Sequence, residues 1–304
     1  MHKEVYQVRT KSIFTGSCCA IVTPFDKNGK VNFDALEKLV EFQIEGKTDA
    51  ICVCGTTGEA PTLADDEHLK VIECVVKKVS GRIPVIAGTG SNDTNHAIMM
   101  SKEATMLGAD ALLLVTPYYN KTTQKGLIRH YTAIADTLEI PAILYNVPGR
   151  TSVNIAPSTL KALCDHPNIA AIKEASGNMA QVVEMMSLCG DKIDFYSGND
   201  DINVPVTAIG GKGAISVLAN VAPYQTHQML QLAMGGNIKE ATKMQFEATE
   251  LIGALFCEVN PIPVKEALNI LGFDVGIGRL PLCEMDSANA QKLRKCMQNY
   301  GLIK

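Results

Sequence analysis

The feature of this sequence that most constrains its fold is a series of eight short apolar runs without polar residues at alternate positions. Strands exposed on one face alternate apolar and polar residues, whereas strands of a parallel sheet are covered on both faces and are apolar throughout. The runs occupy residues 18–22, 50–54, 84–87, 111–115, 142–145, 169–172, 194–197 and 213–217. They predict eight buried parallel strands.

Amphipathic stretches separate these runs. One places Leu36, Leu39, Val40 and Ile44 on a single helical face. Strand and helix patterns that alternate in this way predict an α/β fold, specifically a closed (β/α)8 TIM barrel, and 304 residues suit one such barrel. The alternative is a doubly wound open sheet, but its G-x-G-x-x-G turn after the first strand is missing.

The end of the chain contains more helix than an eighth unit requires. From Pro223 to about Gly301 the pattern is wholly helical. We therefore predict that residues 1–222 form the barrel core. Residues 223–304 would supply the final barrel helix and a C-terminal helical appendage, packed on the barrel or on a neighbouring subunit.

Charge and cysteine usage exclude several classes of partner. The formal net charge of −4 gives no electrostatic case for nucleic acid or an anionic membrane, and no apolar run approaches the length of a membrane span. Residues 1–15 mix charged and polar residues, which is not the pattern of a secretory signal. The ten cysteines are scattered, and several lie inside apolar runs. A cytoplasmic protein that uses cysteine as a small hydrophobe is the expectation.

Polar residues follow many of the predicted strands. In a barrel of this type the chemistry belongs at the C-terminal ends of the strands. The segments there contain one lysine, three tyrosines, one arginine and several hydroxyls, at residues 55–59, 116–120, 145–151, 173–174 and 197–200. Each segment alone is an ordinary turn or packing feature. Their convergence on one rim predicts an active site.

Lys173 and Tyr145 stand out within this set. Lys173 ends a doubly covered strand, where burial disfavours the ammonium form, and a neutral amine attacks carbonyl carbons. The phenol of Tyr145 would carry protons for such a reaction. The alternative is a lysine whose stem lies on apolar surface while its amine reaches water.

Metal and organic cofactors are not predicted. None of the six histidines falls at a strand end, where a zinc aldolase would need them. The glycine-rich residues 210–213 precede a strand and lack the phosphate-loop spacing. Carbonyl chemistry without either kind of cofactor points to a Schiff base.

Five motifs carry a resemblance to a known family. They are Gly-Thr-Thr-Gly-Glu at residues 55–59, Thr-Pro-Tyr-Tyr-Asn at 116–120, Tyr-Asn-Val-Pro-Gly-Arg-Thr at 145–151, Ile-Lys-Glu at 172–174 and Asn-Pro-Ile-Pro-Val-Lys at 260–265. From residue 14 to about 273 the chain resembles the dihydrodipicolinate synthase family, within the pyruvate-dependent class I aldolase superfamily of N-acetylneuraminate lyase.

The resemblance implies a lyase of lysine and diaminopimelate biosynthesis. Its substrates would be pyruvate and L-aspartate-4-semialdehyde, condensed through a lysine Schiff base to 4-hydroxy-tetrahydrodipicolinate by a cytoplasmic homotetramer built as a dimer of dimers. One alternative is an aldolase for a 2-keto-3-deoxy sugar acid or N-acetylneuraminate, but the arginine-bearing third motif is specific to the synthase branch. The other is a non-catalytic barrel that binds a keto acid.

The resemblance also implies residue roles. Lys173 would form the imine with pyruvate. Tyr145 would move protons, relayed through Thr56 to Tyr119, which in the family enters from the neighbouring subunit. Substrate-binding positions would be those of Thr57, together with Thr56, for the pyruvate carboxylate, Arg150 for the semialdehyde carboxylate, and Gly198 and Ile215 for the walls of the pyruvate site.

A lysine-effector site is implied between subunits. Its positions are Ala60, Pro61, Asp65, His68, Asn92, His96 and Tyr118. His96 stands where lysine-sensitive enzymes often carry a glutamate, and Asp65 is the residue expected to replace that carboxylate. The alternative is that these are surface histidines and a helix-start aspartate, so inhibition by L-lysine stays open at this point.

Overall fold

The computed structural model describes residues 12–304. Most of the charged stretch at residues 1–15, for which no secretory signal was predicted, therefore lies outside the described residues. Every predicted apolar run forms a strand. The strands are β1 Gly16–Ala20, β2 Ala50–Val53, β3 Val85–Gly88, β4 Ala111–Val115, β5 Ala142–Asn146, β6 Ile169–Glu174, β7 Asp194–Ser197 and β8 Gly213–Ser216.

These strands close into a barrel. Each strand pairs in parallel with the next in chain order, and β8 pairs with β1. The predicted (β/α)8 barrel is confirmed, and the open-sheet alternative is wrong. In the barrel's register, Tyr145 of β5 lies opposite Lys173 of β6, and Lys173 lies opposite Tyr196 of β7.

Helices surround the barrel. Those between the strands are α1 Phe33–Glu45, α2 Asp65–Val79, α3 Thr94–Met106, α4 Gln124–Ala135, α5 Pro148–Thr151, α6 Pro157–Leu163, α7 Met179–Cys189 and α8 Asn203–Ala208. The side chain of Asn32 caps α1 by accepting a hydrogen bond from the N–H of Ala35. Leu36, Leu39 and Val40 are buried, as their helical spacing predicted.

Alternation along the strands decides which side chains enter the barrel. Ile143 and Ala171 belong to the interior cluster, whereas Leu144 and Ile172 pack in the layer between strands and helices. Because successive side chains of a strand point to opposite faces, the residue two positions after Ala171 also points inward. Lys173 therefore projects into the barrel at the C-terminal end of β6.

The C-terminal region is helical but interrupted. It consists of α9 Pro223–Met234, α10 Ile238–Leu255, α11 Ile262–Ile270 and α12 Ser287–Asn299. Residues 271–286 are irregular, so the prediction of a wholly helical end is wrong there. Gly276 has a positive φ of 66°, and a Cβ on it would collide with the carbonyl oxygen of Phe25. The Phe25 N–H donates to Val275 O (2.9 Å), which ties this segment to the barrel. The boundary between residues 222 and 223 stays a prediction.

Candidate active site

Lys173 and Tyr145 form the centre of the site. Lys173 is 6% exposed, and its Nζ lies 4.3 Å from the centroid of the Tyr145 ring. Tyr145 is also buried, as the interior position of its strand requires. The predicted pair of amine and phenol therefore lies side by side, enclosed by the barrel wall.

Small residues and thiols surround the Lys173 side chain. A Cβ on Gly198 would lie 3.0 Å from Lys173 Cε and 3.1 Å from Cγ, so a larger residue would displace the lysine stem. Burial raises the pKa of Cys52 to about 11, and nearby Lys173 opposes that rise. Burial also raises the pKa of Cys18. Since both thiols stay neutral near pH 7, they provide no negative charge beside Lys173. Ile215 is buried in the same interior cluster.

The loop after β2 folds into a tight turn. The N–H of Glu59 donates to Thr56 O (3.1 Å), and the Thr23 hydroxyl donates to Gly58 O (2.7 Å). Thr57 is buried, and its Oγ1 accepts a hydrogen bond from Asn260 Nδ2 (3.0 Å). The turn is thus fixed by contacts with two distant parts of the chain, one to its backbone and one to the Thr57 side chain.

Arg150 lies in the short helix α5, which begins at Pro148 just beyond β5. It is exposed, and one guanidinium nitrogen donates to the backbone oxygen of Asn260 (3.2 Å). Asn260 therefore contacts both Thr57 and Arg150. No role was predicted for Asn260, although it opens the motif at residues 260–265. That motif was the available signal.

A cavity of about 430 Å³ opens at this end of the barrel. Thr56, Tyr145 and Arg150 line it. So do six of the predicted effector positions: Ala60, Pro61, Asp65, His68, His96 and Tyr118. Six predicted residues lie outside this lining, namely Lys173, Thr57, Gly198, Ile215, Asn92 and Tyr119. Lys173 adjoins the cavity through its contact with Tyr145.

The predicted effector positions have defined polar contacts. Asp65 Oδ1 lies 3.0 Å from His96 Nε2, so a carboxylate does stand beside His96. His68 Nε2 lies 2.8 Å from Gly88 O, and because a carbonyl oxygen only accepts, Nε2 must carry the proton. Burial lowers the pKa of His68. Asn92 Nδ2 donates to Tyr118 O (3.2 Å).

Tyr119 is not brought into this cavity by its own chain. It is 91% exposed and has a φ of 66°, a backbone conformation that favours glycine. Its ring therefore projects away from the subunit in which it lies.

Two broader features concern cofactors and membranes. Within residues 12–304, no group of three or more His, Cys, Asp or Glu side chains is arranged to hold a metal ion. In the same part of the chain, no helix combines the length and apolar character that a bilayer span demands.

The fold and this site place the chain among (β/α)8-barrel enzymes. The sequence model of the Dihydrodipicolinate synthetase family matches residues 13–300. The chain belongs to this family, and the resemblance predicted from its motifs is confirmed.

Individual members of the family are similar to this chain over nearly its whole length. The 4-hydroxy-tetrahydrodipicolinate synthase of Clostridium tetani is 56% identical over 294 residues, which are 96% of this chain and 100% of that protein. The chloride-inhibited dihydrodipicolinate synthase of Acinetobacter baumannii, in complex with pyruvate, has a TM-score of 0.93 and 44% identity over 95% of this chain and 99% of that one. The enzyme of Cyanidioschyzon merolae with lysine bound has a TM-score of 0.94 and 39% identity over 96% of this chain and 100% of that one.

Proposed function

We propose that this chain condenses pyruvate with L-aspartate-4-semialdehyde to give 4-hydroxy-tetrahydrodipicolinate, and that it is a lyase of lysine and diaminopimelate biosynthesis. The observation that carries the proposal is the enclosed contact of Lys173 with Tyr145 in a member of this family. Arg150 lines the same cavity, and its guanidinium group supports the assignment of a second substrate that bears a carboxylate.

The first half-reaction is imine formation on Lys173. Its Nζ attacks the ketone carbon of pyruvate, and loss of water gives a protonated imine. Thr56 and Thr57 hold the pyruvate carboxylate, while Gly198 and Ile215 shape the pocket around the methyl group. The imine is an electron sink, so a methyl proton leaves to give the enamine.

Proton transfers fall to Tyr145. Lys173 Nζ lies 4.3 Å from the centroid of its ring, which places this tyrosine beside the reacting amine as its general acid–base partner. Thr56 relays the proton to Tyr119 of a neighbouring subunit. The exposure of Tyr119 supports this arrangement, because in its own subunit the ring is almost wholly accessible.

The second half-reaction forms the carbon–carbon bond. The enamine attacks the aldehyde carbon of the semialdehyde, whose carboxylate is held by the planar guanidinium of Arg150. The amino group of the condensed chain then attacks the imine carbon and displaces Lys173, which closes the ring and restores the free amine. Because the site holds the two substrates side by side, proximity lowers the activation barrier for carbon–carbon bond formation.

The proposed assembly rests on Tyr119, and the proposed location rests on the cysteines. A site that takes Tyr119 from a partner needs at least a dimer, and we propose a homotetramer built as a dimer of dimers. A cytoplasmic location is supported by the cysteines, all ten of which are free, among them the buried Cys18, Cys52 and Cys54.

L-Lysine is the proposed effector of the outer part of the cavity. Asp65 offers a carboxylate to an ammonium group, in the place of the glutamate expected at position 96. With Nε2 of His68 donating to Gly88 O, its Nδ1 is free to accept from the same ligand when the imidazole is neutral. An inhibition curve with L-lysine tests this assignment: flat activity up to millimolar lysine would leave these residues a purely structural role.

Borohydride trapping tests the proposed reaction. The protein is reduced with pyruvate present, with and without the semialdehyde, and adducts are located by intact mass and peptide mapping. We expect a pyruvate-sized adduct on Lys173 that diminishes as the semialdehyde is consumed. An adduct indifferent to the semialdehyde would favour the sugar-acid aldolases, and no adduct would favour a keto-acid-binding barrel.

A further inference from the structure

A buried ion pair lies behind the turn at residues 55–59. Lys265 of α11 donates from Nζ to Glu59 Oε1 at 2.6 Å, and both side chains are 2% exposed. Neither residue has a part in the chemistry proposed above. A buried ion pair is weak evidence for stability, because desolvation of the two charges offsets their attraction. Its presence therefore calls for an explanation other than stability.

Glu59 is the last residue of the turn that carries Thr56 and Thr57. Its φ of 57° lies in the left-handed region, which a residue with a side chain rarely adopts. Its N–H donates to Thr56 O, and its own backbone oxygen accepts from the N–H of Thr62 (3.0 Å). The conformation of Glu59 thus sets the direction in which the turn leaves Thr57.

Contacts from the C-terminal region hold that conformation. Both carboxylate oxygens of Glu59 are occupied, Oε1 by Lys265 and Oε2 by the N–H of Arg279 (3.0 Å). Lys265 also donates to Ile277 O (3.1 Å), and its Nζ lies 4.1 Å from the centroid of the Phe25 ring. Burial lowers the pKa of Lys265, and the Glu59 carboxylate opposes that change.

We propose that Lys265 is a positioning residue for the reaction: through Glu59 it fixes the turn in which Thr56 and Thr57 face bound pyruvate. The proposal rests on the function assigned above. It explains why the family motif at residues 260–265 ends in lysine. Asn260, at the start of that motif, contacts Thr57, so one segment holds the turn at two points.

Steady-state kinetics of Lys265→Met test the proposal. We expect the KM for pyruvate to rise about tenfold and the KM for the semialdehyde to change little, since the turn holds the pyruvate carboxylate and is assigned no contact with the semialdehyde. The control is Asp49→Asn. Asp49 pairs with His227 (2.8 Å) at the opposite end of the barrel, so this variant loses stability without touching the turn. An unchanged pyruvate KM in Lys265→Met, or the same rise in Asp49→Asn, overturns the proposal.

A double variant separates positioning from stability. Lys265→Met leaves Glu59 buried without its cation, whereas Lys265→Met with Glu59→Gln leaves no unpaired charge. We expect the double variant to regain melting temperature while its pyruvate KM stays raised. If it binds pyruvate as the wild type does, the ion pair is not needed to fix the turn.

Hydrogen exchange supplies a readout that does not depend on catalysis. Amides of residues 55–63 are expected to exchange faster in the Lys265→Met and double variants than in Asp49→Asn. Wild-type exchange rates in this segment would overturn the positioning role. If exchange is faster in these variants but the wild-type protein forms no pyruvate adduct, the proposed function is overturned. The role of Lys265 in fixing the turn would still hold in that case.

Discussion

Lys173 and Tyr145 are direct register partners on neighbouring strands, and the lysine Nζ lies 4.3 Å from the centre of the tyrosine ring. Both side chains point into the barrel, because each lies two residues beyond another interior residue of its strand. The contact is thus set by the pairing of β5 with β6. The proposed nucleophile and its proposed proton carrier therefore need no loop movement to meet.

The lysine assignment predicts a selective loss of activity. Lys173→Ala should lower kcat/KM by about three orders of magnitude or more, since the amine is the proposed site of the covalent intermediate. Lys212→Ala is the matched control, because Lys212 is exposed and lies next to the first residue of β8, at the far end of the barrel. Steady-state rates measure both. Equal losses in the two variants would contradict the assignment.

Arg150 is expected to affect one substrate. Arg150→Ala should raise the KM for the semialdehyde by about tenfold or more, which corresponds to a lost charge-assisted hydrogen bond. Imine formation with pyruvate should persist, as measured by borohydride trapping. The exposed Arg129 of α4 supplies the control substitution. If the adduct disappears along with semialdehyde use, Arg150 has a structural role instead.

Asn260 and Thr57 should be coupled. Thr57→Val and Asn260→Ala each remove one side of the 3.0 Å hydrogen bond between them. If Asn260 acts through Thr57, the double variant should have the pyruvate kcat/KM of Thr57→Val alone, an interaction energy of about 1 kcal/mol or more. Additive effects in this double-mutant cycle would mean that the two residues work independently.

Much of the barrel was predictable because its strands are covered on both faces. Continuous apolar runs located every strand, and the rule that chemistry lies at the C-terminal ends then brought Lys173 and Tyr145 together. Residues 271–286 have an apolar spacing compatible with a helix, but Gly272, Gly276 and Pro281 disfavour one, and the segment is irregular.

Other parts of the site depend on distant contacts. Asn260 is 203 residues from Thr57, and Lys265 is 206 residues from Glu59. No local pattern encodes such a pairing, since it arises only when α11 packs beside the loop after β2. The proposed role of Tyr119 requires a second subunit, and local sequence pattern carries no information about such a contact.

The buried imidazole of His68 predicts a pH effect on stability. Burial lowers the pKa of His68 in the folded state. As the pH falls through about 6.5, the unfolded state therefore binds a proton at this residue that the folded state does not bind. This contribution to stability is therefore present above that pH and is lost below it. His68→Gln should flatten the fall in urea midpoint between about pH 7.5 and about pH 5.5. An unchanged slope would show that His68 does not carry the effect.

Subunit mixing tests whether Tyr119 acts across an interface. Lys173→Ala and Tyr119→Phe should each be nearly inactive as pure assemblies. In a mixed dimer, the Tyr119→Phe subunit keeps its own Lys173 and receives an intact Tyr119 from its partner, so one of the two sites is complete. Co-refolding the variants should therefore restore activity, to about a quarter of wild type if subunits pair at random in equal amounts. This prediction rests on the exposure of Tyr119. The side chain is 91% exposed in its own chain, and we infer that it serves a neighbouring subunit. If activity does not return although mass spectrometry detects mixed dimers, Tyr119 either works within its own subunit or has no part in the relay.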